Sequence, residues 1–159
     1  MLKVGQPAPG FSLQTGDGET IRLKRLRGKK VVLFFYPGDD TPTCTKEACS
    51  FQNNLPRLKL RGTVVLGVSA DSVVSHKNFA KKFGLTYSLL SDGSKKVLKS
   101  YGVWGKKTLF GRTYMGIVRS TFVIDEEGRI AQIFSRVLVK NHVKDVLTVL
   151  DRLEQQSST

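Results

Sequence analysis

Cysteine is scarce in this chain: there are two in 159 residues, Cys44 and Cys49. Two are too few for a disulfide scaffold in a chain long enough to bury its own core, and they point to a reducing, cytoplasmic compartment. Long apolar runs are missing too. The N-terminus, Met1-Leu2-Lys3-Val4-Gly5, lacks the apolar centre of a leader peptide, and no stretch approaches the roughly 20 residues of a membrane span. No G-x-G-x-x-G or P-loop spacing occurs, so no phosphate cradle is indicated. No C-x-x-C occurs either, which disfavours a dithiol oxidoreductase. Internal repeats are absent, and only the tail from about Gln155 to Thr159 reads as frayed. Acidic residues are in short supply, 13 against 26 Lys+Arg, for a net charge of +13. The excess lies in clusters such as Lys24 to Lys30, Lys81-Lys82, Lys95-Lys96 and Lys106-Lys107. A surface of this kind concentrates acidic partners; without a recognisable motif it would bind nucleic acid only weakly and non-specifically. Apolar content is ordinary at 40%, and the expectation is one folded domain spanning 1–159.

What is present centres on one stretch. Val31 to Phe35 is an apolar, β-branched and aromatic run of the length of a buried strand. Tyr36-Pro37-Gly38-Asp39-Asp40-Thr41-Pro42 then breaks it. A helix can begin near Thr43, because proline is tolerated in a first turn. That start would put Cys44 at a helix N-terminus, where free N–H groups and the helix dipole favour a thiolate. Position alone leaves Cys44 open between a reactive thiol and a small buried hydrophobe. Cys49 adds a constraint. Five residues along an intact helix separate two Cα atoms by roughly 8.7 Å and about 140° around the axis. A disulfide needs less than about 7 Å. The pair therefore either never bonds or bonds only after the first turn melts. A zinc pair is disfavoured, since His76 and His142 are the only further soft ligands and are scattered.

The remaining elements follow from periodicity. Phe11 to Gln14 and Ile21 to Leu23 suggest a hairpin, and the stretch after Cys49 should continue as a helix to about Arg61, kinked or broken early because Pro56 lies inside it. Thr63 to Ala70 reads as a core strand, Val73 to Phe83 as a helix stopped by Gly84, and Tyr87 to Ser91 as a short strand. Lys95 to Tyr101 is a short helix. Arg119 to Asp125 and Arg129 to Phe134 form a hairpin, and Lys140 to Leu153 carries an apolar stripe. This order implies a mixed sheet covered by helices on both faces. Periodicity does not single out one such fold.

Tyr36-Pro37 with Thr41-Pro42-Thr43-Cys44-Thr45-Lys46-Glu47-Ala48-Cys49 resembles the active-site segment of peroxiredoxins. It is closest to the Q-type, or bacterioferritin comigratory protein, subfamily. Pro37, Thr41 and Cys44 fill the family's pattern of Pro, three residues, Thr or Ser, two residues, Cys. A second stretch, Tyr101 to Lys107 continuing through Gly111-Arg112 and Met115 to Asp125, is similar to the family as well. The resemblance covers nearly the whole chain and implies an α/β, thioredoxin-like fold.

The resemblance also implies a thiol peroxidase with Cys44 as peroxidatic cysteine and Cys49 as intrahelical resolving cysteine. Arg119, Thr41 and Pro42 would serve the chemistry. The backbone N–H groups of Thr43 and Cys44, with Pro37, would meet the substrate. Asn141-His142-Val143 resembles a late family segment, in which His142 is expected to support the helix start. Neither metal, haem nor flavin is implied. The implied partners are a peroxide and a thioredoxin- or glutaredoxin-type reductant, and the chain is expected as a monomer or weak homodimer. A dithiol oxidoreductase of related fold and a basic binding module without activity are the competing readings.

Overall fold

The fold is taken from a computed structural model that describes residues 1–157. Its centre is strand β3 (Lys30–Phe35), every residue of which is buried. A strand covered on both faces must be apolar throughout, which is why Val31 to Phe35 shows no alternation. Alternation reappears in where the side chains go. Val32, Phe34 and Tyr36 enter one core with α1 (Pro42–Asn53), α2 (Leu55–Leu60), α3 (Val73–Phe83) and α5 (His142–Ser157). Val31, Leu33 and Phe35 enter the other with α4 (Lys96–Ser100) and a 3-10 turn at Leu23–Leu26.

β3 pairs in parallel with β4 (Thr63–Ser69), which pairs in parallel with β5 (Ser88–Ser91). On its other side it meets antiparallel β8 (Ser120–Ile124), followed by β9 (Ile130–Ser135). The N-terminal hairpin of β1 (Ser12–Thr15) and β2 (Thr20–Arg22) extends the β5 edge. The result is a seven-stranded mixed sheet in the order β2-β1-β5-β4-β3-β8-β9. Helices cover both faces, as the element order led one to expect. Gly67 of β4 is fixed by this packing: a Cβ there would stand 2.7 Å from Cζ of Phe34, whose ring stacks on Phe51 at 4.6 Å.

The early break expected of the helix after Cys44 falls at Asn54, two residues before Pro56; two other expectations are revised. The ring of Pro56 would meet the carbonyl of Gln52 in a continuous helix, so the break falls upstream and Pro56 re-enters at a second helical position that needs no donor. A hairpin of β6 (Trp104–Leu109) and β7 (Arg112–Ile117) forms a separate two-stranded sheet that periodicity did not single out. Its strands pack one edge only, so they lack the apolar alternation that announces a half-buried strand. The C-terminal helix runs on to Ser157, beyond the Leu153 expected of it; residues 158–159 lie outside the described ones.

Candidate active site

Chain order and sheet register bring three elements together at the carboxyl end of β3. The β3–α1 loop delivers Cys44, β8 begins one residue after Arg119, and α1 carries Glu47 one turn beyond the cysteine. Thr41 is the last extended residue (φ −90°, ψ 152°), and Pro42 opens the helix. The first intrahelical bond runs from Thr45 N to Thr41 O at 2.8 Å. The N–H groups of Thr43 and Cys44 therefore precede the hydrogen-bonded ladder, and no acidic residue sits in the first turn to compete for them. Pro37, Thr41, Pro42 and Thr43 are exposed, whereas Cys44 is buried beneath them. Thr41 Oγ1 donates to Gly38 O at 3.0 Å. Its proton is thus used inside the loop, and its lone pairs remain for an incoming donor.

Arg119 joins the parts. Its guanidinium donates through one nitrogen to Cys44 Sγ at 3.3 Å and through another to Glu47 Oε1 at 2.6 Å. The family resemblance had marked Arg119 but not Glu47. The available signal was the i, i+3 relation of Glu47 to Cys44, which stacks both on one helix face. Glu47 is fully buried, and its Oε2 has no hydrogen-bond partner. Burial pushes its carboxyl up to about 7, against the opposing pull of Arg119. The site therefore holds an acid that titrates near neutrality one hydrogen bond from the cation on the sulfur. Lys107, midway along β6, donates through Nζ to Ile117 O at 2.9 Å. Burial and then the charge of Arg119 lower its pKa, while Cys44 pulls the other way.

The loop before the helix is held by a network that the sequence reading also missed. Asp39 accepts from Tyr36 Oη at 2.6 Å and Ser75 Oγ at 2.7 Å, and its Oδ2 lies 2.8 Å from His76 Nδ1. Burial opposes ionisation of Asp39, but the hydrogen bonds from His76, Tyr36 and Ser75 outweigh it and hold the carboxyl below its ordinary value. His76 Nε2 faces Leu90 O at 2.9 Å, an atom that can only accept. Asp39 N in turn donates to Asp71 Oδ2 at 2.8 Å. Ligand atoms of Asp39, Asp71 and His76 lie within 4.8 Å of one another, yet all are committed to these bonds, and the cluster reads as a clamp on the loop. His142 is committed as well. Its Nε2 lies 2.8 Å from Thr121 Oγ1, and burial lowers its pKa to about 4. That matches the helix-start role expected for it and leaves no histidine to complete a zinc site with the cysteines.

Both cysteines are free thiols within one continuous α1. Tyr87 Oη donates to Ala48 O at 2.7 Å, pinning the helix just before Cys49. A reactive sulfur at an unsatisfied helix N-terminus, bonded by a fixed cation, can attack a weak O–O bond and stabilise the oxygen that leaves.

Comparison with known proteins agrees. A family model described as the AhpC/TSA family matches residues 4–133. The chain belongs to this family. Among its relatives, "Putative peroxiredoxin bcp" of Coxiella burnetii is 50% identical over 146 residues, covering 92% of this chain and 97% of the relative. "Peroxiredoxin Bcp" of Bacillus subtilis is 41% identical over 155 residues, covering 98% and 99%. A structure of the Xanthomonas campestris bacterioferritin comigratory protein, described for its alkyl peroxide reduction activity, superposes with a TM-score of 0.88. It is 34% identical and covers 94% of this chain and 98% of that one. The chain is thus a peroxiredoxin of the Q-type, and its mixed sheet is the thioredoxin-like fold of these neighbours. No helix among the described residues of this peroxiredoxin is long and apolar enough to cross a membrane.

Proposed function

We propose that the protein reduces hydrogen peroxide and organic hydroperoxides, with Cys44 as the peroxidatic and Cys49 as the resolving cysteine. The observation that carries this reading is the guanidinium of Arg119 set between Cys44 Sγ and Glu47. A hydrogen bond from a permanent cation favours the thiolate. The sulfur attacks one peroxide oxygen, the O–O bond breaks, and the second oxygen leaves as hydroxide or alkoxide and takes up a proton. The N–H groups of Thr43 and Cys44, with Arg119, meet the growing negative charge. Thr41 and Pro37 border the approach, and Pro42 contributes no competing N–H. The product at Cys44 is a sulfenic acid.

Cys49 then attacks that sulfur. A disulfide forms, and the hydroxyl leaves as water with the thiol's proton. Because α1 holds the two residues too far apart, its first turn must open for this step. A dithiol reductant of the thioredoxin type, or a glutaredoxin, reduces the bridge by thiol–disulfide exchange. The basic surface suits an acidic reductant. We read the chain as one domain, acting as a monomer or weak homodimer in the cytoplasm.

Mass spectrometry after one equivalent of hydrogen peroxide tests the scheme. The expected product is a bridge between Cys44 and Cys49 within one chain. Recovery of intermolecular bridges alone, or no oxidation of Cys44, would overturn it.

A further inference from the structure

Phe110 is 94% exposed at the turn of the β6–β7 hairpin. Its backbone is left-handed (φ 51°), as is that of Gly111 (φ 76°), and the two residues link the paired Leu109 and Arg112. A two-residue turn with both φ values positive favours Asn or Gly, and a bulky side chain there is rare. Neither backbone preference nor packing within the chain selects phenylalanine at this point. Leu109, Tyr114 and Met115 beside it are also exposed. The hairpin pairs with no strand of the main sheet, and residues 108–115 are exposed on both faces, so it projects from the body.

The charge around this tip has one sign. Residues 104–119 and 130–144 contain no aspartate or glutamate. Lys106 and Arg112 flank the apolar tip. The loop after β9 lies beside Arg119, at the chain position where the hairpin segment ends, with Val137 N donating to Arg119 O at 3.0 Å. It presents Leu138, 85% exposed, between the exposed Arg136 and Lys140. Two exposed apolar tips, Phe110 and Leu138, are thus set among cations on segments that both lead to Arg119, which donates to Cys44 Sγ.

We propose that this face docks on an anionic lipid bilayer, with Phe110 and Leu138 entering the boundary between headgroups and acyl chains and the cations meeting lipid phosphates. The placement would set Cys44 against hydroperoxides carried on acyl chains, and this part rests on the peroxidase reading above. A projecting tip needs a matching pocket in a rigid protein partner, whereas a bilayer boundary accommodates it without one. A second copy of the chain would bring the same cations and be repelled.

The test is co-sedimentation of the full-length reduced protein with phosphatidylcholine vesicles, with and without phosphatidylglycerol, in low and high salt. Binding should require the anionic lipid and weaken with salt. Phe110→Asn, which suits the turn, should reduce it about tenfold, and Lys106→Glu or Arg112→Glu by about fivefold or more each. Turnover of hydrogen peroxide in solution should stay within about twofold in all three, while turnover of phospholipid hydroperoxide in vesicles falls with binding. Equal binding to neutral and anionic vesicles, or full binding by Phe110→Asn, overturns the proposal. A raised KM for a dithiol protein reductant in Phe110→Asn, with vesicle binding unchanged, overturns it in favour of an acidic protein partner. Vesicle binding is read without catalysis, so an inactive protein would sink the peroxidase reading and leave the docking result standing.

Discussion

Glu47→Gln separates what the buried carboxyl does for stability from what it does for Arg119. In the folded protein Glu47 titrates near 7, against an ordinary 4.5, with burial as the main cause. Between those two values the folded state binds more protons than the unfolded state, so this group makes stability fall as pH rises. The contribution is complete below about 4.5 and gone above about 7. A shift of this size corresponds to a decline on the order of 3 kcal/mol. His142 tilts the other way. Burial lowers it to about 4 from 6.5, so it costs stability as pH falls through that range. The histidine is common to both proteins and cancels in their difference. Urea unfolding of reduced protein at several pH values from 4.5 to 8 gives that difference directly. Wild type minus Glu47→Gln should fall with rising pH by about 3 kcal/mol. Parallel pH profiles for the two proteins would refute the claim that Glu47 is held protonated by its surroundings.

Arg119→Ala should slow the single-turnover attack of Cys44 on hydrogen peroxide by about 10²–10³. It should also slow Cys44 alkylation; unchanged rates for both would remove the guanidinium from the chemistry. Cys49→Ser should still consume one equivalent of peroxide, then drift to sulfinic acid in excess oxidant, which mass spectrometry reads as added oxygen. Oxidised wild type should lose far-UV helical signal relative to reduced protein, and Cys49→Ser should not. Gly67→Ala places a Cβ 2.7 Å from Phe34 Cζ and 2.9 Å from Leu89 Cδ2. It should cost about 1–3 kcal/mol in urea unfolding without changing Cys44 reactivity.

The sequence by itself determined the parts whose cause is local. A continuous apolar run made β3 a strand buried on both faces, and Pro42 after Thr41 opened a helix with Cys44 in its first turn. The spacing of Cys44 and Cys49 followed, and with it the rule that an intact helix keeps the two from bonding. Gly84 stopped α3 in the left-handed conformation expected of it. Tertiary structure decided what depends on residues far apart in the chain. The pairing of β8 with β3 carried Arg119 across 75 positions to Cys44, and the packing of α1 buried Glu47 beside it. His76 met Asp39 only because α3 folds over the β3–α1 loop. The same packing set the burial that moves Glu47 and His142 away from their ordinary pKa values. Periodicity reports which face of one element is apolar; it carries no information on which polar atom another element will bring to it.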